Sequence, residues 1–336
     1  MSKQRKLSYL FSILWVAILF AAIMGAVATG VINSYYSGIL VLIGINIILA
    51  VSLNLVTGFL GQLVLGHASV GAYSAALFTM HAGLPISVAF PLGLIFGGLV
   101  AAIFGVIIGV PALRLRGDYL AIITLGFGEI IRVLVLAVDF TGGAAGLTGI
   151  PYIEGKYTLI IYTFFIAFLT VVAILAFIRS RHGRAVIAIR EDEIAAEASG
   201  INTTYYKLLA FVVAAFFAGV AGGIYAHYIG VLDPSKFDFN YSVEILIMVV
   251  LGGMGSITGS VCSATVLTLL PEMLRSFADK RMLIYSLVLI IVMLFKPTGL
   301  LGTREFSVRK IVGKLFKEKK KDTGTPPAGG APGKEA

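Results

Sequence analysis

The feature that most limits the fold is a long uncharged stretch in the first third of the chain. No Asp, Glu, Lys or Arg occurs between Lys6 and Arg114, an interval of about 107 residues. A water-soluble domain needs surface charge to stay dissolved, so such a domain cannot occupy this interval. At roughly 20 residues per crossing, the interval is long enough for four or five membrane spans. We therefore expect an integral membrane protein.

The composition of the whole chain agrees with this expectation. Of 336 residues, 58% are hydrophobic and 13% are charged, whereas soluble domains are about 25% charged. The net charge is +9, and eight Lys/Arg against two Glu lie between Arg304 and Lys321. A basic cluster at the end of a membrane protein favours contact with anionic lipid headgroups over nucleic-acid binding.

Apolar windows and helix breakers predict an all-α fold, a polytopic membrane helix bundle with about 10 transmembrane segments (8–10). The predicted segments are 7–28, 38–57, 62–81, 86–110, 118–138, 158–178, 207–229, 242–253, 259–274 and 281–296. The apolar part of the first segment is longer than the core of a signal peptide, so we expect an uncleaved span.

The distribution of Lys and Arg predicts the orientation of these segments. Basic residues precede the first segment and occupy two loops, around Arg114 and Arg190, whereas the loops 139–157 and 230–241 carry more acidic than basic residues. Both termini are therefore predicted to be cytoplasmic, which requires an even number of crossings. The predicted transmembrane domain covers 1–303, and 304–336 is expected to form a basic amphipathic segment followed by a disordered cytoplasmic tail.

Two glycine-rich interruptions break the apolar pattern. The first is 252–260, and a loosely similar stretch covers 58–69. Each interruption is compatible with a tight turn between helices. The other reading is a broken helix whose unwound backbone lines a cavity or is buried in protein. Paired interrupted segments in two halves of a chain are common in transporters.

Few ionisable residues lie within the predicted spans. Glu129 and Arg132 are three residues apart, so they share a helix face and can form an ion pair that lowers the cost of burying either charge. Such a pair either holds the helix to its neighbours, or it lines a solute path or contacts a partner subunit. Thr124 and Glu244 are the other candidates for the translocation path.

The predicted outer loop 141–151 is rich in glycine. Thr141, Gly142, Gly143 and Gly146 begin it, and these glycines permit unusual backbone angles. A plain flexible loop is one interpretation. The other is the lip of a gate, or a rim on which an extracytoplasmic partner docks.

The predicted inner loop 180–206 is the longest polar connection, and its pattern indicates a short amphipathic helix. Ile187, Ile194, Ala198 and Ile201 fall on one helical stripe, which Glu191 interrupts, and Arg190, Glu193 and Glu197 lie on another face. Gly200 is placed as a helix stop. Docking onto a soluble protein would explain this pattern, and a merely solvated helix is the alternative. The candidate docking residues are Arg190, Glu191, Asp192, Glu193, Glu197 and Gly200.

The sequence lacks the motifs of several other functions. It contains no phosphate-binding loop, Gly-x-Ser-x-Gly element or His-Glu-x-x-His motif. His67 and His81 have no spacing typical of metal ligands, so no metal site is predicted. We therefore expect a non-catalytic chain that binds no cofactor.

The chain resembles the permeases of bacterial ATP-binding-cassette importers for branched-chain amino acids, over about residues 38–302. The resemblance is carried by 117–132, 141–151, 184–210, 252–260 and 295–302. It is greater to the LivM-type subunit than to its LivH-type partner. The resemblance implies a bacterial-type inner-membrane protein.

The resemblance also implies partners. These are a second, LivH-like permease, two cytoplasmic ATPase subunits that bind the ATP, and an extracytoplasmic solute-binding protein that delivers leucine, isoleucine or valine. The inner loop is similar to the Glu-Ala-Ala signature, whose coupling helix inserts into a groove of the ATPase. Here Ile194 separates Glu193 from the Ala pair, so the sequence leaves open which Glu meets the ATPase.

Two other functions remain open at this point. One is an importer of the same class that carries urea, amides or another small neutral solute, because selectivity depends largely on the binding protein. The other is a secondary transporter driven by an ion gradient, which would use intramembrane carboxylates such as Glu129 and Glu244.

Overall fold

The computed structural model describes residues 34–62, 68–115, 117–153, 157–277, 280–296, 299–300 and 302. The described residues form eleven α-helices. They are α1 (Ser34–Asn54), α2 (Ala68–His81), α3 (Ile86–Ala112), α4 (Asp118–Ala137), α5 (Thr158–Arg179), α6 (Arg181–Glu191), α7 (Glu193–Ala198), α8 (Thr203–Ile229), α9 (Phe239–Gly252), α10 (Ile257–Met273) and α11 (Arg281–Phe295).

The predicted all-helical architecture is confirmed for these residues, but the predicted number of spans is not. Five helical segments are long and apolar enough to cross a membrane: Tyr35–Phe59, Ile86–Ala112, Tyr119–Ala137, Thr158–Arg179 and Thr203–Ile229. Helices α2, α9, α10 and α11 have only 14 to 17 residues, fewer than the roughly 20 that a crossing needs. The count of about ten spans stays a prediction. The segment 7–28 and the tail 304–336 lie outside the described residues.

Helices α1 and α8 form the centre of the bundle, and small residues bring α2, α3 and α8 close together. A Cβ added to Gly71 of α2 would lie only 2.1 Å from the Cα of Gly219 in α8. On α3, small residues follow at four-residue spacing from Gly97 to Gly105; a Cβ added to Gly97 would meet α2, and one added to Gly105 would meet Ala215 of α8. Such spacing of small residues is typical of helices that pack closely in a membrane. By contrast, α4 is largely exposed.

Helix α1 changes its hydrogen-bonding pattern near its end. The residues Leu55–Phe59 form a π-helix, a rare geometry that often accompanies a functional site. Asn54, fully buried, stands where the pattern changes. Its Nδ2 donates to the Ser256 carbonyl at 3.0 Å and to Ser260 Oγ at 2.9 Å, while its Oδ1 accepts from the Gly255 amide at 2.9 Å. These bonds join α1 to the connection between α9 and α10.

That connection corresponds to the glycine-rich interruption at 252–260. It is a four-residue turn, Gly253–Ser256, between two helices that pack against each other. Gly253 and Gly255 have positive φ angles of 111° and 87°, which residues with a side chain rarely adopt. Ser256 caps α10 by accepting from the Gly259 amide. The structure therefore favours the tight-turn reading, with a turn that is tied into the protein by Asn54.

Some helices begin before the predicted position. Helix α8 begins at Thr203, where 207 was predicted, because the Asn202 side chain accepts from the Tyr205 amide and caps the helix. Helix α9 begins at Phe239, where 242 was predicted, because the Asp238 carboxylate accepts from the Tyr241 amide. In both cases the hydropathy window missed a boundary that backbone geometry determines. Of the predicted segment 62–81, residues 63–67 lie outside the described residues.

Candidate functional site

The inner loop 180–206 contains two helices, α6 and α7, where one amphipathic helix was predicted. Asp192 separates them, with an extended backbone at φ −157°. Its carboxylate accepts from the Ile194 and Ala195 amides at 2.9 and 3.0 Å, which caps the start of α7. An Asp is more stable in this capping position than inside a helix, so the chain bends here.

The predicted helix stop at Gly200 agrees with the backbone geometry. Gly200 has a φ of +82°. Its amide donates to the Glu197 carbonyl at 2.9 Å, and the Ile201 amide donates to the Ala196 carbonyl at 3.1 Å. These two bonds together form a Schellman motif. Helix α7 is thus only six residues long and is fixed at both ends.

Glu193 points toward the bundle and forms an ion pair with α8. Its Oε1 lies 2.7 Å from the Nζ of Lys207, whose side chain is only 3% exposed. A buried ammonium group needs an opposite charge beside it. Lys207 therefore accounts for the direction of Glu193 and joins the inner loop to the central helix.

The other side of α7 faces away from the protein. Ile194 is 71% exposed, although it is a large apolar residue, and Glu197 is exposed as well. Between them, Ala196 is buried. Single exposed apolar residues are common on protein surfaces, so a role of this face of α7 in binding another protein stays a prediction. Glu191 and Asp192 are also exposed.

Arg190, the last basic residue of α6, packs against two glycines of the bundle. A Cβ added to Gly61 would come within 3.0 Å of Arg190 Cγ, and one added to Gly255 would come within 2.9 Å of its Nη1. Gly61 follows the π-helix of α1, and Gly255 lies in the turn between α9 and α10. The inner loop thus contacts the end of α1 and the turn between α9 and α10 through one side chain.

The candidate path residues lie at separate places. Glu129 and Arg132 form the expected pair, with 2.7 Å between Oε2 and Nε, and both side chains remain partly exposed. Thr124 is buried, and its hydroxyl donates to the Leu120 carbonyl of its own helix at 2.9 Å. Glu244 lies on α9 and is exposed. The described residues do not bring these four side chains into one cluster.

Arg132 lies near the start of α9. Asp238 caps this helix by accepting from the Tyr241 amide at 3.0 Å. That hydrogen bond lowers the pKa of Asp238, and Asn240 and the positive charge of Arg132 lower it further. Arg132 of α4 therefore adds to the electrostatic stabilisation of this cap.

The outer loop has a defined conformation. Leu147 and Leu232 exchange two backbone hydrogen bonds of 2.9 and 3.0 Å, which connect this loop to the segment before α9. A Cβ on Gly142 would lie 2.2 Å from the Gly146 carbonyl oxygen, and one on Gly146 would lie 2.6 Å from that of Leu232. Thr141 caps α4 by donating to the Val135 carbonyl. Gly143 also has a positive φ. A role of this loop as a gate or docking rim stays a prediction.

Comparisons with known proteins identify the family. Residues 35–296 match the family described as branched-chain amino acid transport system / permease component. The chain belongs to this family. It is similar to the high-affinity branched-chain amino acid transport system permease protein LivM of Salmonella typhimurium, with 39% identity covering 76% of this chain and 68% of that protein. The Escherichia coli LivM protein is 38% identical over the same shares.

Further similarity extends to a second permease type. The LivH protein of Escherichia coli is 35% identical over 42% of this chain and 46% of its own length. No solved structure matches the chain.

Three features of this permease were not predicted from its sequence. They are the ion pair of Glu193 with Lys207, the bonds of Asn54, and the position of Arg190 against Gly61 and Gly255. A lysine just inside an apolar helix was the available signal for the first. An asparagine in an apolar segment was the signal for the second.

Proposed function

We propose that this protein is the LivM-type permease subunit of an ATP-driven importer that moves leucine, isoleucine and valine across the bacterial inner membrane. The observation that carries the proposal is helix α7. It is capped at both ends, joined to α8 by Glu193 and Lys207, and presents Ile194 and Glu197 outward. Similarity to two LivM proteins over most of the chain supports the substrate class.

The chain works with a second, LivH-like permease, two cytoplasmic ATPase subunits and an extracytoplasmic solute-binding protein. Similarity to both LivM and LivH proteins supports a pair of permeases. The exposed face of α4, with Ile122, Ile130 and Leu134, is apolar and suits either lipid or the second permease.

Contact with the ATPase is made through Ile194 and Glu197, with Arg190, Glu191, Asp192 and Gly200 shaping the inner loop. Glu193 does not face the ATPase in this proposal, because its carboxylate is already paired with Lys207 inside the bundle. This assigns separate roles to the two Glu residues of the signature-like segment. ATP is bound and hydrolysed on the partner subunits, and this chain performs no bond chemistry.

The movement of the ATPases reaches the bundle by two contacts. The ion pair carries it into α8. Arg190 carries it to Gly61 and to the turn that holds Gly255. Since Asn54 connects this turn to α1, a displacement of the inner loop changes the packing of α1 against α9 and α10. A packed interface of this kind converts small shifts into a switch between two arrangements.

The proposal is tested by reconstituting the chain with its partner subunits in proteoliposomes. Uptake of leucine that requires ATP and the binding protein is the expected result. Uptake that continues without the ATPases and collapses with an uncoupler would instead indicate an ion-driven secondary transporter. Uptake of urea or amides but not leucine would contradict the substrate class.

The contact with the ATPase has its own test. In a Cys262→Ala background, Ile194→Cys is expected to crosslink to an ATPase subunit in inside-out membranes. Ala196→Cys on the same helix is the matched control, because Ala196 is buried. Equal crosslinking of both variants, or of neither, would contradict the docking surface.

A further inference from the structure

A cavity of about 520 Å³ lies between the start of α1 and the end of α10. Its lining residues are Tyr35, Tyr36, Ile39, Leu269, Glu272, Met273 and Arg275. The volume is within the range of about 300–1,000 Å³ in which small molecules bind. It is open to the outside, since Tyr36 and Met273 are exposed.

The cavity combines one negative and one positive group around an aromatic ring. The Tyr35 hydroxyl donates to Oε2 of Glu272, and the guanidinium carbon of Arg275 lies 4.9 Å from the centroid of the Tyr35 ring. Tyr36 packs edge-on against Tyr35 at 5.6 Å. Tyr35 thus lies between the two charges and positions both of them.

The remaining wall is apolar. Ile39, Leu269 and Met273 line it, and Ile39 is buried among the helices. A ligand that is complementary to Glu272, to Arg275 and to the apolar wall carries a cation, an anion and an aliphatic tail. A simple anion or cation would leave one of the two charged side chains without a counterpart, and a neutral sugar would match neither.

The cavity lies at the predicted outer end of the bundle. Helix α8 ends beside α1, because a Cβ on Gly38 would meet the Tyr228 hydroxyl at 2.7 Å. After Gly230, the chain pairs with the outer loop at Leu232. The cavity is therefore at the end opposite to the inner loop and Arg190.

We infer that this cavity is a binding site for a zwitterionic α-amino acid with an aliphatic side chain, met before the solute enters the bundle. The inference rests on the proposed function and adds the residues that recognise the solute. Arg275 binds the carboxylate with its planar guanidinium. Glu272 and the face of the Tyr36 ring bind the ammonium group, while the aliphatic tail lies against Ile39, Leu269 and Met273.

The test measures binding without transport. The full complex is placed in nanodiscs without the binding protein, and this chain carries Cys262→Ala and Met273→Cys. A maleimide reagent labels the cysteine at position 273, and leucine is the probe. Leucine at millimolar concentration is expected to slow the labelling. Leucinamide, which lacks the carboxylate, and 4-methylpentanoate, which lacks the ammonium group, are expected not to slow it. Phe140→Cys, exposed on the outer loop, is the control whose labelling rate stays constant.

Variants of the two charged residues separate recognition from folding. Glu272→Gln and Arg275→Gln are each expected to weaken protection by roughly tenfold or more, because each removes a charge-assisted hydrogen bond to the ligand. Copurification of each variant chain with its partner subunits is measured alongside and shows whether the variants assemble. Equal protection of Met273→Cys by all three compounds, or none by leucine, overturns the inference.

A zwitterionic lipid headgroup has the same two charges as the amino acid. Nanodiscs of phosphatidylglycerol alone are therefore compared with nanodiscs that contain phosphatidylethanolamine. Protection that follows the lipid and not the leucine overturns the inference. Transport of leucine by the unmodified chain is measured in parallel, so a complex that imports leucine but shows no protection rejects this site while the proposed function stands.

Discussion

Burying the ammonium group of Lys207 costs free energy unless an opposite charge lies beside it. The carboxylate of Glu193, 2.7 Å away, supplies that charge and at the same time fixes the first turn of α7. Neither residue by itself identifies the other as its partner. Their pairing gives α7 a direction, with Ile194 outward and Glu193 inward.

Replacing one partner of this pair is expected to destabilise the protein. Glu193→Gln leaves the charge of Lys207 buried and uncompensated, which is expected to lower the free energy of unfolding by about 1–3 kcal/mol. Breaking a fully buried pair costs about 3–5 kcal/mol; the expected loss is smaller here because Glu193 is partly exposed. Thermal unfolding of the purified complex measures the effect. Glu197→Gln on the same helix is the control with little expected change, and an equal loss in both variants would contradict a specific role for the pair.

The helices differ in how tightly they pack against the rest of the chain. Helices α2 and α8 approach so closely that glycine is required, as at Gly71 and Gly219. Helix α4 has open space beside Gly126, where an added Cβ would have no neighbour within 4 Å. The glycines at 71 and 219 therefore permit close packing within the chain. The space beside Gly126 is open to a partner subunit or to lipid.

Alanine at these two glycines is expected to have opposite effects on the isolated chain. Gly71→Ala forces α2 away from α8 and costs about 1–3 kcal/mol or more. Gly126→Ala stabilises the α4 helix by about 0.5–1 kcal/mol, because alanine loses less backbone entropy. Unfolding of the purified chain tests both effects. If Gly126→Ala also weakens copurification of the second permease, then α4 faces that subunit.

The start of α9 depends on the ionisation of Asp238. Its pKa is lowered, mainly by the hydrogen bond from the Tyr241 amide. Because the pKa of Asp238 is lower in the folded protein, the ionised cap contributes stability at neutral pH. This contribution is lost as the pH falls below the ordinary pKa of 3.8 and through the lower pKa that Asp238 has in the folded protein. Asp238→Asn is therefore expected to lower stability at pH 7 but to differ less from the original chain at pH 3. Unfolding at both values measures this, and a constant difference would contradict it.

In the whole molecule, Arg190 connects regions that are far apart in the chain. It lies against Gly61 after α1 and against Gly255 between α9 and α10, and Asn54 holds that turn from the other side. The inner loop, the π-helical end of α1 and the α9–α10 pair thus form one contiguous contact. The outer loop and the cavity at Tyr35 occupy the other end of the bundle.

Removing this contact is expected to uncouple the importer. Arg190→Ala should reduce ATP-driven leucine uptake by roughly tenfold, about 1.4 kcal/mol in activation free energy, while the complex continues to hydrolyse ATP. Arg184→Ala is the matched control, because within the described residues the Arg184 side chain donates to a neighbouring group, the Arg179 carbonyl. A parallel loss of uptake and hydrolysis would indicate lost ATPase docking and would contradict this role.

The amino-acid sequence by itself determined the membrane class, the helical character of the described segments and the place of the polar loop 180–206 along the chain. These are local properties, because hydropathy over some 20 residues and the conformational preferences of Gly200 act on neighbouring residues. The pairing of Glu129 with Arg132 could also be predicted from the sequence, since helical spacing alone brings the two side chains together.

Only the tertiary structure decided which distant groups meet. Asn54 bonds to Ser260, more than 200 residues later, and Leu147 pairs with Leu232. The break at Asp192 and the inward direction of Glu193 also depend on where α8 places Lys207. A polar side chain in an apolar segment must find a partner, but the identity of that partner is set by helix packing, which no local pattern encodes.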